Sequence, residues 1–88
     1  MKDYLTNLLN NALKDLVKSF DKDIIQVSRP KQIQHGDFST NVSLPLAKIL
    51  KKAPIEIAKG IVERIPSSTL IEKVEIAGPG YINFFLSS

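Results

Sequence analysis

The residues best suited to bind a ligand lie near the end of the 88-residue chain. Tyr81, Asn83 and Phe85 alternate there with three apolar residues over 81–86. Because side chains alternate across a strand, these three share one face. An aromatic ring can stack on an unpaired nucleobase, and an amide two residues away can hydrogen-bond the edge of that base. The pattern predicts a nucleobase-binding face, or alternatively a set of side chains that covers a helix or completes the sheet.

His35 and Asp37, separated by Gly36, form a second set of candidate residues. A histidine and a carboxylate can exchange protons, but a catalytic site also needs a nucleophile or a metal. His35 is the sole histidine and there is no cysteine, so a metal site lacks ligands. The segment is typical of a turn at Gly36, with Asp37 or a neighbour capping the next helix. A contact between His35 and RNA remains the alternative.

The composition indicates one folded domain and excludes several classes of protein. The chain is 43% hydrophobic and 24% charged, as in an ordinary globular domain. Without cysteine it has neither disulfides nor thiolate metal sites, and a cytoplasmic location is expected. No apolar run approaches the roughly 20 residues of a membrane helix, so no membrane partner is expected. A net charge of +3 fits contact with a polyanion without requiring it.

Three helices are predicted to support these residues. Over 3–20, apolar residues recur every third or fourth position and make one stripe on a helix. Pro45 fits freely only in a first turn, so the second helix starts as late as Asn41 or Ser43, or is kinked. Pro54 suits the first position of a third helix.

The strands are expected before the second helix and at the end of the chain. The β-branched residues of 24–27 favour a short strand, and residues 31–35 are expected to be extended. Charged and apolar residues alternate over 73–77, which predicts a half-exposed strand, and a glycine-proline-glycine turn leads to the strand at 81–86. This order predicts an α+β fold, a small antiparallel sheet with about three helices.

Three stretches of the chain resemble the N-terminal domain of arginyl-tRNA synthetases. Residues 35–48, beginning His-Gly-Asp-Phe-Ser-Thr-Asn-Val, resemble the first signature of that family. Residues 74–84, Val-Glu-Ile-Ala-Gly-Pro-Gly-Tyr-Ile-Asn-Phe, resemble the second, and the helix start at 54–58 also matches. Two motifs in this order and separation are quite specific, and the likeness covers nearly the whole chain.

The resemblance implies a single domain over 1–88 that binds the D-loop, at the elbow of tRNA(Arg). In the family, an aromatic residue and an amide two positions apart approach a D-loop nucleotide, and they match Tyr81 and Asn83. Phe85 and His35 complete the candidate tRNA-binding residues. The expected partners are tRNA(Arg) and the catalytic domain of a larger parent chain.

The resemblance also bears on catalysis. The parent enzyme is expected to join arginine to its tRNA with ATP and Mg²⁺. The HIGH-like and KMSKS-like signatures of the family's catalytic core are absent from these residues. The 88 residues are therefore expected to be an excised first domain, inactive alone, with no catalytic residue, metal or cofactor of their own. Pro45 departs from the family, which is expected to have an ordinary helix former there.

Two other functions are possible. A protein-interaction module would use an open strand edge or the apolar surface near Phe85, and its binding would survive salt and ignore RNA. A small enzyme using His35 and Asp37 would lose its activity on His35→Ala.

Overall fold

The computed structural model describes residues 1–87, with the backbone alone at positions 22 and 33. Over that span the chain forms three α-helices and one four-stranded antiparallel sheet, which confirms the predicted α+β fold. The helices are α1 (Lys2–Leu16), α2 (Ser43–Leu50) and α3 (Pro54–Glu63). The strands are β1 (Val27–Ser28), β2 (Phe38–Thr40), β3 (Ile71–Ala77) and β4 (Tyr81–Leu86). Short 3-10 turns lie at Lys22–Ile24 and Ile33–His35.

Strand β4 occupies the middle of the sheet, whose spatial order is β1-β2-β4-β3. It pairs antiparallel with β2 on one side and with β3 on the other. The β3–β4 hairpin turns through residues 78–80, where Gly78 has φ +55° and Gly80 has φ +143°. Both values are in the region that favours glycine. The side chains at 82–84 therefore have neighbours from two strands.

One face of β4 belongs to the hydrophobic core, as the alternation of the sequence predicts. Ile82 and Phe84 are fully buried in one cluster with side chains of all three helices. The helical contributions to this cluster are Leu5, Leu9, Ala12, Leu13, Leu46, Ile57, Ala58 and Ile61. The helices thus pack on one face of the sheet. The opposite face, called the outer face here, carries Tyr81, Asn83 and Phe85.

The first third of the chain is less regular than predicted. The helix expected over 3–20 ends at Leu16, and Val17 is extended with φ −134° and ψ 132°. The apolar pattern continues past the helix because Val17 and Phe20 still pack on the core from the loop that follows it. The strand expected over 24–27 is wrong except at Val27, since the preceding residues form a 3-10 turn and loop.

The region before α2 also differs from the prediction. Residues 33–35 form a 3-10 turn rather than an extended segment, and the strand β2 that follows was not predicted. The polar residues of β2 are types that favour helix caps, so the sequence predicts a helix start there and not a strand of three residues. Helix α2 begins at Ser43 and has no side-chain cap. Pro45 therefore lies in the first turn, where a residue without an N–H loses no helical hydrogen bond.

Helix α3 begins at Pro54, as predicted, and buries Ile57, Ala58 and Ile61. Within residues 1–87 no helix has both the length and the apolarity to cross a membrane.

Candidate nucleic-acid interface

The start of β4 is held by the first turns of two helices. The buried Ser43 hydroxyl, at the start of α2, donates a hydrogen bond to the Gly80 carbonyl. Gly80 also packs against the start of α3, because a Cβ atom at Gly80 would lie 2.9 Å from the Cβ of Pro54. The backbone that leads into Tyr81 is therefore fixed from two sides.

The other end of β4 is held by the segment 35–37. The Asp37 N–H donates to the Phe84 carbonyl at 2.8 Å, and the Leu86 N–H donates to Oδ2 of Asp37 at 2.8 Å. Gly36 has φ +93°, and a Cβ atom there would lie 2.6 Å from the Phe84 carbonyl oxygen. The expectation that Asp37 or a neighbour caps the next helix is wrong, because α2 has no side-chain cap. The Asp37 carboxylate binds the backbone of β4, 49 residues away in sequence.

The outer face of β4 places an exposed ring beside an unpartnered amide. Tyr81 is 40% exposed, whereas Asn83 is only 4% exposed. Among residues 1–87, the Asn83 carboxamide hydrogen-bonds to no other group. In the part of the chain that the structure describes, the fully buried side-chain polar atom without a partner is Asn10 Oδ1, so the polar atoms of the Asn83 carboxamide remain accessible from the surface. A carboxamide held in place without a partner retains its donors and its acceptor for a ligand.

The neighbouring strands place polar groups on both sides of Asn83. Ser39 of β2 and Glu75 of β3 are its direct cross-strand partners. Residues opposite each other in an antiparallel pair lie on the same face of the sheet, with Cβ atoms roughly 4.5–5.5 Å apart. Ser39, Asn83 and Glu75 therefore form one row across the outer face.

A shallow depression adjoins Tyr81 on the β1 side of the sheet. Its lining includes hydroxyl, amide and ammonium groups from several elements. The polar residues that line it with Tyr81 are Lys2, Asp3, Thr6, Gln26, Ser28, Ser39 and Asn41. An exposed aromatic ring beside such donors and acceptors is the arrangement that single-stranded nucleotides use in protein sites.

Phe85 is less available than Tyr81. It is half-buried, and the Lys73 ammonium lies 4.5 Å from the centroid of its ring. A Cβ atom placed at Gly36 would be 3.4 Å from Cδ1 of the same ring. The ring is therefore in contact with its own protein on more than one side, which suits a packing role better than stacking on a base.

Comparison with known proteins settles the family. The model described as "Arginyl tRNA synthetase N terminal domain" matches residues 3–86. The chain belongs to this family. An arginine–tRNA ligase of Azoarcus sp. (strain BH72) is 46% identical over 87 residues, covering 99% of this chain and 15% of the relative. One of Shewanella piezotolerans is 47% identical over 91 residues, covering 98% of this chain and 16% of the relative. The chain thus spans about one-sixth of these relatives.

Solved structures of arginyl-tRNA synthetases have the same fold. The enzyme of Thermus thermophilus superposes with a TM-score of 0.81 at 28% identity, over 99% of this chain and 14% of the other. The enzyme of Plasmodium falciparum superposes with a TM-score of 0.82 at 19% identity, which shows the fold alone, over 98% of this chain and 16% of the other.

In this family member, the four candidate tRNA-binding residues do not form one cluster. Tyr81, Asn83 and Phe85 share the outer face of β4, whereas the exposed His35 lies beyond the other end of the strand. At about 3.4 Å per residue, the start and end of β4 are roughly 17 Å apart. His35 has no catalytic partner in Asp37, whose carboxylate binds Leu86. Within residues 1–87 no cluster of His, Asp and Glu is arranged to hold a metal ion.

Ser39 and Glu75 were not among the predicted site residues. Glu75 belongs to a predicted strand, so the alternation of that strand predicts on which side of the sheet it lies. Its pairing with Asn83, however, depends on the register of the hairpin. Ser39 lies in β2, whose pairing with β4 spans 44 positions of sequence and leaves no local signal. The signal for the Glu75 pairing was the short turn at 78–80, because a three-residue loop that contains glycine is typical of a hairpin between the flanking strands.

Proposed function

We propose that this domain binds the D-loop at the elbow of tRNA(Arg) through the outer face of β4. Tyr81 stacks on an unpaired nucleobase and Asn83 hydrogen-bonds its edge. The observation that carries the proposal is the Asn83 carboxamide, 4% exposed and without a hydrogen bond among residues 1–87, beside the exposed Tyr81 ring. The family supports tRNA as the ligand.

The domain's task is to orient tRNA for a reaction elsewhere. A larger chain carries the class I catalytic domain, which joins arginine to its tRNA in the cytoplasm with ATP and Mg²⁺. Contacts at the elbow then raise the fraction of complexes in which the acceptor end reaches that catalytic centre. Lysines scattered over the surface supply the sequence-independent phosphate contacts, in keeping with a net charge of +3.

Tyr81→Ala tests this proposal, with Leu70→Ala as its matched control. Both side chains are large and exposed, 40% and 48%, but Leu70 precedes β3 and lies beside the end of β4 that is opposite to Tyr81, where the Ser87 N–H donates to its carbonyl. Binding of a tRNA(Arg) transcript by each variant is measured by fluorescence anisotropy over a range of salt concentrations. Tyr81→Ala should weaken binding by roughly 1–3 kcal/mol, the usual worth of one stacked base. Its salt dependence should match the wild type, because no phosphate contact is lost.

Equal affinities of both folded variants and the wild type would refute stacking by Tyr81.

A competing function, a protein-interaction module, is favoured by β3. Its outer edge pairs with no other strand in the described part of the chain. That function predicts no tRNA binding by the wild type at low salt.

A further inference from the structure

Strand β3 forms one border of the sheet and leaves a long row of backbone groups unpaired. It has seven residues, whereas β1 at the opposite border has two. On one side β3 pairs with β4, and on the other side, called the free edge here, no strand lies within residues 1–87. An unpaired edge of this length is a template for another extended strand.

The hydrogen bonds of β4 show which residues of β3 face the free edge. The Asp37 N–H donates to the Phe84 carbonyl, on the β2 side of β4. Successive residues of an antiparallel strand direct their backbone groups to opposite sides, so Asn83 directs its groups toward β3. Its cross-strand partner Glu75 points back toward β4. The next residue along β3, Val74, therefore directs its N–H and its carbonyl to the free edge.

The side chains on either side of Val74 are complementary to a second copy of the same strand. Two antiparallel copies related by a two-fold axis can pair Val74 with Val74 through two backbone hydrogen bonds. Lys73 of each copy then lies opposite Glu75 of the other. Opposite charges at directly opposed positions stabilise a strand pair, whereas like charges destabilise it. A lysine at an edge usually discourages pairing, but in this register it meets a carboxylate.

The two charged side chains are already held together on the outer face. Lys73 Nζ lies 3.5 Å from Oε2 of Glu75 and 4.5 Å from the centroid of the Phe85 ring. About half of each charged side chain is exposed, 54% for Lys73 and 51% for Glu75. A second copy would extend this pair to four charges of alternating sign, so neither chain would bury an unpaired charge.

The helix side of the free edge is apolar. Val74 and Ile76 are half-buried there, and both pack against the core. In the two-fold arrangement, Ile76 of the second copy lies opposite Glu72, at the rim of a shallow depression. The apolar residues that line this depression are Val62, Ile65, Pro66, Ile71 and Val74. Pairing would therefore cover apolar surface on one face of the sheet and join ion pairs on the other.

We infer that the free edge of β3 binds a second copy of this chain. The two β3 strands pair antiparallel about Val74 and join the two four-stranded sheets into one. About five residues of each chain take part, which bury less than the roughly 800 Å² per partner of a stable complex, so the dimer is weak and reversible. This inference goes beyond the proposed function and does not depend on it.

Sedimentation equilibrium of the 88-residue chain, from micromolar to millimolar concentration, tests the inference together with amide hydrogen exchange by NMR. The average mass of the wild type should rise toward that of a dimer, and exchange of the Val74 N–H should slow over the same range. The Glu75→Lys variant tests the register. Its matched control is Asp15→Lys, which changes the net charge equally at an exposed position of α1.

Glu75→Lys should raise the dissociation constant about tenfold above that of Asp15→Lys, because Lys73 then faces a like charge in both symmetry-related contacts. The double variant Lys73→Glu/Glu75→Lys exchanges the two charges and keeps them opposed. It should therefore dimerise as the wild type does. Added salt should reduce the difference between Glu75→Lys and its control, since these charges are exposed.

Three results would overturn the inference. A wild type that stays monomeric at millimolar concentration would leave the free edge to an extended segment of another protein. A dimer in which exchange of the Val74 N–H does not slow would use a different surface. If the folded double variant associates as weakly as Glu75→Lys, the charges are not opposed and the two-fold register is wrong.

Discussion

The segment 35–37 and the outer face of β4 both carry candidate ligand-binding residues in the sequence, but the structure uses them differently. In 35–37, Asp37 makes two hydrogen bonds to the backbone of β4, and Gly36 is in close contact with it. On the outer face, the Asn83 carboxamide has no partner within residues 1–87, and Tyr81 is exposed. Residue types alone do not separate a structural contact from a binding site. In this domain the two regions differ in the hydrogen bonds that their polar side chains make within the protein.

Gly36→Ala should show the largest effect on stability and would test the structural role of the first region. A Cβ atom at Gly36 meets the Phe84 carbonyl oxygen at 2.6 Å, and its φ of +93° is unfavourable for alanine. The free energy of unfolding, measured with urea, should fall by about 3 kcal/mol from steric overlap and backbone strain.

The matched control for that substitution is Gly60→Ala in α3. A Cβ atom there would be 3.4 Å from the flexible Leu16 side chain, and alanine favours a helix interior over glycine by roughly 1 kcal/mol. Gly60→Ala should therefore leave stability unchanged or raise it. Equal losses from both alanines would contradict the special role of Gly36.

Ser43→Ala should have the next largest effect, because it removes the buried hydrogen bond to Gly80. Leaving a buried carbonyl without its partner should lower the free energy of unfolding by about 1–3 kcal/mol. Ser39→Ala is the control, since Ser39 is a half-buried serine on the outer face. It should change stability by less than about 0.5 kcal/mol, as surface substitutions usually do. A larger loss from Ser39→Ala would show that the outer face is structural.

Asp37→Asn should have a smaller effect, because Asp37 is exposed. The bond from the Leu86 N–H loses its charge assistance, and the expected loss is about 1 kcal/mol in urea unfolding. Asp15→Asn removes the same charge from an exposed position of α1 and should change stability by less than about 0.5 kcal/mol. If the two substitutions are indistinguishable, the bond to Leu86 contributes nothing measurable.

Sequence predicted the parts of this comparison that local patterns govern. The alternation over 81–86 correctly assigned Ile82 and Phe84 to the core, and Pro54 correctly located a helix start. The bond between Asp37 and Leu86 could not be predicted, because it joins positions 49 residues apart and Asp37 is also a common helix cap. The burial of Asn83 likewise depends on strand order, which no local pattern encodes.

The most direct test of the recognition face follows the side-chain amide signals of Asn83 by NMR while tRNA(Arg) is added to the ¹⁵N-labelled chain. Binding through the outer face should cause large shifts for the Asn83 side-chain amide and for the backbone of Tyr81, with small shifts at the two lysines that follow α2, Lys51 and Lys52. Shifts confined to those lysines, with Asn83 and Tyr81 unchanged at saturation, would contradict it. In that case RNA contacts the domain through charge, and the outer face of β4 serves another purpose.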